Sequence, residues 1–416
     1  MSSPRYNRRQ WLQKSGALSL ASLAAAPAET LAGNEDLPPH VPSWTKNMGA
    51  PFLSPAYGVP SVHEQHVKRA LLPKPGPYPT ASRTPLQSLH GIITPNGLVF
   101  ERHHAGFPSI TPQDHRLMIH GMVDRPLIFT MEDIARFPSE SNIYFLECSG
   151  NTALELKKPS GITVQDTHGM VSCCEWTGVR LSTVLQEAGV HKDATWLLAE
   201  GADASSMTRS IPMAKALDDA MLVYAQNGEM LRPEQGYPLR LLLPGYEGNM
   251  SVKWLRRLKL GTEPWQSREE TSAYTDLMPD GKALQFTFHM EVKSVITSPS
   301  GGQKMHNHGF HEIRGLAWSG RGKINSVEVS VDGGVHWQQA VIQEPVLSKA
   351  LVRFRFPWEW HGQSALIQSR ATDESGRIQP TRQHLIKEKG LNFYYHNNAI
   401  QSWLINQEGD VQNAHN

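Results

Sequence analysis

Between residues 326 and 331 the chain alternates polar and apolar positions, Ser326-Val327-Glu328-Val329-Ser330-Val331. A period of two puts the three valines on one face of a strand. Asp332-Gly333-Gly334 then supplies a hairpin turn before Trp337. The same texture runs on from about Leu284, and Ile324, Val327, Val341, Val352, Phe354 and Phe356 are the inward positions it suggests. Regularly spaced turns predict an immunoglobulin-like β-sandwich over 284–400, with 401–416 as a tail.

Upstream the pattern is mixed. Ile143-Tyr144-Phe145-Leu146, Trp196-Leu197-Leu198-Ala199 and Leu239-Arg240-Leu241-Leu242-Leu243 read as buried strands. Thr130 with Asp133 three residues on gives a capping-box signal for a helix over Met131–Phe137, closed by Pro138. Leu181–Ala188 reads as a second helix, and Ser210 before Pro212 opens a third through Leu217. Together these predict an α+β domain over 85–265, joined to the sandwich by a connecting segment, 266–283. Over 29–84 prolines recur at 38, 39, 42, 51, 55, 60, 73, 75, 77 and 79, which fixes φ and removes donors, so an extended arm is expected.

Charge narrows the function. Lys+Arg and Asp+Glu number 40 and 39 in 416 residues, so no net field recruits nucleic acid. Arg8-Arg9 precedes the apolar stretch Gly16–Ala26, too short to span a bilayer, and Ala26-Pro27-Ala28 offers small residues for cleavage. Residues 1–28 therefore read as a twin-arginine signal, which exports folded proteins. No later segment is apolar enough to span a membrane, and a periplasmic location is expected. The three cysteines, 148, 173 and 174, build no disulfide framework, and adjacent Cys173 and Cys174 bridge only with strain, so at least one thiol is free.

Phe145-Leu146-Glu147-Cys148-Ser149-Gly150-Asn151-Thr152 is an apolar strand that stops at a thiol followed by glycine, where a ligand can approach closely. A buried structural cysteine is the bland alternative. Three basic loops weigh against it: Phe100-Glu101-Arg102-His103-His104, Gln235 to Arg240, and Ser251-Val252-Lys253-Trp254. Such loops offer charge-assisted hydrogen bonds to an oxyanion or phosphate. His306-Asn307-His308-Gly309-Phe310-His311 lacks a second ligand cluster and reads as a polar loop. Cys173 and Cys174 read as buried thiols, and Tyr224 as core.

These segments, with Cys174 to Val179, Tyr224 to Gly228 and Arg268 to Thr275, resemble the sulfite oxidase family from about Thr84 onward. The resemblance implies a molybdopterin-binding domain followed by a dimerisation domain. It makes Cys148 the protein ligand of one molybdenum per chain, held by molybdopterin. It casts Arg102 and Tyr274, 21 residues after Lys253, as the other catalytic residues. Phe100, Arg102, His104, Asp203, Arg240, Ser251, Val252 and Lys253 join Cys148 as cofactor-binding residues, and Trp176 is either a pocket wall or a packing residue. Oxygen-atom transfer to sulfur is the implied reaction. No haem is expected in this chain, since Cys-x-x-Cys-His is absent, so a cytochrome c is the implied acceptor. The sandwich implies a homodimer, or a heterotetramer with the cytochrome.

Departures from the family pattern bear on substrate. Thr152 and Ala153 stand where sulfite-oxidising relatives often carry arginines, Gln235 stands where many have histidine, and only Lys389 lies near the place of a distal pocket arginine. Fewer cations weaken recognition of free sulfite and favour sulfane sulfur on a carrier protein. Sulfite oxidation is the alternative. Two readings of other classes remain: a binding or adhesion module, which would carry no metal, and a thiol hydrolase pairing Cys148 with His103 or His104.

Overall fold

The strand Ser139–Glu147 runs from solvent into the interior: its first residues are exposed and its last three, Phe145, Leu146 and Glu147, are buried. That gradient delivers Cys148 to the inside of the protein. The computed structural model describes residues 59–71 and 80–415. The signal expected over 1–28 and most of the Pro-rich arm lie outside the described residues. The arm's described end is a strand, Thr80–Arg83, between Ala70–Leu71 and Arg102–His103.

Ser139–Glu147 pairs with Val171–Arg180, which pairs with Met221–Gln226, and Arg240–Leu242 adds to the last of these. A second five-stranded sheet runs Leu127–Phe129, Leu117–Gly121, Leu255–Gly261, Trp196–Gly201, Thr208–Pro212. The helix Leu181–Ala188 buries Leu181, Val184, Leu185 and Ala188, the i, i+3, i+4, i+7 stripe of an amphipathic helix. The helix after Thr130 has the expected capping box but spans only Met131–Ala135. The third helix begins at Met213, not at Ser210. Ser210 instead sits in the middle of the strand Thr208–Pro212, where its N–H and hydroxyl are both taken by the Glu270 carboxylate.

The C-terminal part is a sandwich. One sheet holds Lys293–Ser298, Gly309–Trp318, Val352–Trp360 and Val341–Gln343; the other holds Gln338–Gln339, Ile324–Ser330, Ala365–Asp373, Ser402–Ile405 and Val411–Ala414. Residues 402–414, expected as a tail, thus supply two strands of this sheet, and Trp403 is fully buried. Val341 is 53% exposed rather than inward. It lies opposite Arg355 on the solvent face of an edge strand, whereas Phe354 and Phe356 point inward.

The sandwich core does not stop at the domain boundary. Phe145, Val164, Val171 and Cys173 pack in the same cluster as Val295, Trp318 and Phe354. Residues from Val62 onward accordingly form one unit. Among the described residues no helix is long and apolar enough to cross a membrane.

Candidate active site

Cys148 follows the last residue of its strand, and its N–H donates to Met170 O (3.0 Å). Burial raises the thiol pKa, while the Gly150 N–H and the Arg102 guanidinium draw it down. The sulfur faces a cleft. All the expected catalytic and cofactor-binding residues line it with Cys148: Phe100, Arg102 and His104 from the first basic loop, Asp203, Arg240, then Ser251, Val252 and Lys253, and finally Tyr274.

One end of the cleft gathers cations. Lys253 Nζ donates to Arg102 O (3.1 Å) and Glu234 O (3.0 Å) and stands 2.8 Å from His103 Nδ1. Burial, with repulsion from Arg240, holds its pKa well below the usual lysine range. Burial lowers Arg240 to about 10. Arg240 donates to Gln235 O (3.1 Å) and Ser251 O (3.3 Å), and its guanidinium lies 5.3 Å above the Trp176 ring. Trp176 is therefore a packing residue: it is buried, donates to Tyr144 O (3.1 Å), and underlies the cleft rather than lining it. Gly236, at φ 110°, lets the backbone turn here, and a Cβ on it would stand 3.1 Å from both Arg240 and Lys253. Gln235 Nε2 donates to Phe100 O (3.1 Å), so it ties two of the basic loops together.

The other end is phenolic. Tyr274 shares a 3.1 Å hydrogen bond with His104 Nε2. Burial and then the neighbouring Cys148 raise the phenol pKa, and burial and Arg102 lower that of His104, so both partners are neutral near pH 7. Beneath the Tyr274 ring lies Arg209, its guanidinium 5.1 Å from the centroid. Fully buried, Arg209 donates to Glu247 Oε1 (2.9 Å) and Glu269 O (2.7 Å). Arg209 lowers Glu247 to about 2 against the opposing effect of burial.

Three buried atoms of cleft-lining residues have no partner among the described residues: Asp203 Oδ1, Arg240 Nε and Asn249 Oδ1. A cofactor N–H would satisfy Asp203 Oδ1, and a phosphate would satisfy Arg240 Nε while favouring the charged forms of Arg240 and Lys253. Among the described residues no cluster of three or more His, Cys, Asp or Glu side chains is placed to bind a metal. A lone soft thiolate suits a metal whose other donors come from a cofactor. The donor set thus fits a molybdopterin. Cys173 and Cys174 are free and buried, burial raising the latter to about 12. Tyr224 packs against the hydrophobic core.

Sequence reasoning missed Arg209, Glu247 and a run from Tyr394 to Asn398. Lys389 takes no part: its Nζ lies 5.4 Å from the Phe393 ring and pairs with Glu388. The only legible signal was the unpatterned aromatic and polar run itself, Tyr394-Tyr395-His396-Asn397-Asn398.

Fold and cleft together define a molybdopterin-binding class of protein. Residues 104–269 match the model of the oxidoreductase molybdopterin binding domain, and 285–403 that of the Mo-co oxidoreductase dimerisation domain. The chain belongs to the sulfite oxidase family. It is similar to the crystal structure of the sulfane dehydrogenase SoxCD from Paracoccus pantotrophus, with 47% identity and a TM-score of 0.89 over 91% of this chain and 98% of that one. Mitochondrial sulfite oxidase of Mus musculus is 31% identical over 70% of this chain and 58% of its own length. Nitrate reductase [NADH] 1 of Phaseolus vulgaris is 32% identical over 67% of this chain and 36% of its own. The chain therefore spans 58% or less of these two curated relatives.

Proposed function

We propose that this protein oxidises sulfane sulfur, presented as a cysteine persulfide on a carrier protein, at a molybdenum held by Cys148. The observation that carries this reading is the poverty of cations beside the thiol. Arg102 is the cation that acts on Cys148. Thr152, at a position where sulfite-oxidising relatives often have arginine, is buried, and its hydroxyl donates to Asn397 O (2.7 Å). Such a chamber is poorly matched to a free dianion and better matched to a sulfur of low charge. The similarity to a sulfane dehydrogenase supports the same reading.

When bound, the molybdenum supplies oxygen-atom transfer and accepts the two electrons. The chain's own residues do the rest. Arg240, Lys253 and Ser251 would anchor the phosphate of the cofactor, and Asp203 would accept a hydrogen bond from it. Arg102 would offer its guanidinium to the substrate beside the thiol. The Tyr274 phenol donates a hydrogen bond at the reacting centre, held in place by His104 above and by Arg209 with Glu247 below. A cytochrome c accepts the electrons, the sandwich forms the contact of a homodimer or of a heterotetramer with that cytochrome, and the twin-arginine signal sends the protein to the periplasm.

Metal analysis of purified protein beside Cys148→Ser, with cytochrome c reduction driven first by sulfite and then by a carrier-bound sulfane donor, tests the proposal. The expected result is one molybdenum per chain, preference for the carrier-bound donor, and loss of both metal and activity in the variant. Preference for sulfite would favour the alternative, a sulfite dehydrogenase, towards which the Arg102 guanidinium and the likeness to sulfite oxidases point. Matured protein without molybdenum would overturn the central claim.

A further inference from the structure

Against the loop that carries Cys148 lies a strap that no sequence motif announced, Tyr394-Tyr395-His396-Asn397-Asn398, between the helix Arg382–Lys389 and the strand Ser402–Ile405. It is fixed along its length. The N–H groups of Tyr394 and Tyr395 both donate to Asp276 Oδ1 (2.6 and 3.1 Å). The His396 N–H donates to Ser149 O (2.8 Å), and Asn397 Nδ2 donates to Thr152 O (2.8 Å) while its carbonyl accepts from the Thr152 hydroxyl. The strap is thus sewn to the loop that carries the thiol.

Its two aromatic rings continue the row begun by Tyr274. Tyr395 lies 5.2 Å from Tyr274, and Tyr394 meets Tyr395 edge-on at 5.0 Å. Gly150 gauges the distance to the sulfur. A Cβ built on it would stand 3.6 Å from Tyr394 Cε1 and 3.9 Å from Cys148 Sγ, so the ring and the sulfur flank the same glycine. Tyr394 is 45% exposed, so its ring is open to solvent close to the thiol loop.

We propose that Tyr394 and Tyr395 are specificity-determining residues, forming an uncharged aromatic wall beside Cys148 that favours a sulfur donor of low charge over a free divalent oxyanion. The inference rests on the proposed oxidation of sulfur at a Cys148-bound metal. Phenol rings neutralise no charge, so a dianion against them gives up hydration with no compensation from that side and only Arg102 to offset it. A polarisable divalent sulfur, by contrast, makes favourable contact with aromatic edges and faces.

The test uses molybdenum-loaded protein and three variants, Tyr394→Arg, Tyr394→Phe and Tyr394→Ala. Placing a guanidinium at 394 should lower KM for sulfite by about tenfold or more, the size of one charge-assisted hydrogen bond to an anion. It should tighten calorimetric binding of sulfate, an unreactive divalent oxyanion, by a similar factor, and lower kcat/KM for the carrier-bound donor. Tyr394→Phe keeps the ring and should keep the wild-type preference between the two substrates. Should the arginine variant fail to load metal, Tyr394→Ala decides. It should lose at least about fivefold in kcat/KM on the carrier-bound donor with less loss on sulfite, and equal loss on both overturns the wall. A fully loaded Tyr394→Arg with unchanged sulfite KM and unchanged sulfate affinity also overturns it. If the wild type itself prefers sulfite, the sulfane reading falls, while the arginine and phenylalanine variants still report whether the wall sets anion affinity.

Discussion

The Lys293 ammonium stands 2.7 Å from the Glu147 carboxylate, both fully buried, at the junction between the sandwich and the residue that precedes Cys148. Trp318 Nε1 (2.7 Å) and Asn151 Nδ2 (2.9 Å) satisfy the same carboxylate. A buried charge stripped of its partner is costly, whereas removing both partners is often neutral. Lys293→Met should therefore cost about 3–5 kcal/mol, read from chemical denaturation. The double variant Lys293→Met, Glu147→Gln should regain most of it. Equal melting of the single and double variants would show that the pair contributes nothing by its charge.

Arg240 separates stability from cofactor retention. Its guanidinium is buried with Nε unpaired, which burdens the cofactor-free chain and is relieved when an anion binds. Arg240→Met should leave the melting temperature of cofactor-free protein unchanged or higher, while pterin released from purified protein, read by fluorescence, falls by at least about tenfold. A variant that retains its full pterin would remove Arg240 from the phosphate site.

Tyr274→Phe deletes only the hydroxyl that meets His104. The ring's contacts with Arg209 and Tyr395 remain. A lost donor at a reacting centre typically lowers kcat by about 100-fold, and metal content should not change. Steady-state kinetics beside metal analysis checks this, and a loss confined to KM would assign the hydroxyl to binding alone.

Acid should unfold the protein through its buried histidines. Burial and Lys253 hold His103 at about 3, and burial keeps His168 well below the ordinary histidine value. Below about pH 6.5 the unfolded chain takes up protons that the folded chain refuses at these sites, so stability falls as pH falls. The slope is about 1.4 kcal/mol per pH unit for each such histidine, continuing down towards pH 3 for His103. Denaturation at a series of pH values measures it, and His103→Gln should lower the slope by one proton.

What the sequence disclosed was local. A capping box at Thr130, a period of two after Ser326 and an apolar strand ending at Cys148 each declare themselves within ten residues. The basic loops were legible as chemistry, and the cleft does bring them together. Hidden were the features made by distant partners. Ser210 looks like a helix cap until Glu270 claims it, and Val341 looks like core until its opposite number proves to be solvent-facing Arg355. Arg209 sits in no motif because its partners, Glu247, Glu269 and Tyr274, come from elsewhere in the chain. The boundary drawn between the two domains was also only partly meaningful, since Phe145 and Cys173 share a core with Trp318.

Thr152 and Asn397, joined by reciprocal hydrogen bonds, lie 245 residues apart in the chain. At roughly 5–20 residues per second, a ribosome delivers the second partner about 12–50 s after the first. Until then the thiol loop has no strap and Asp276 has no tyrosine amides to bind. A cofactor arriving before Asn397 has been made would meet an unfinished receptacle, so loading belongs after the strap has reached the thiol loop.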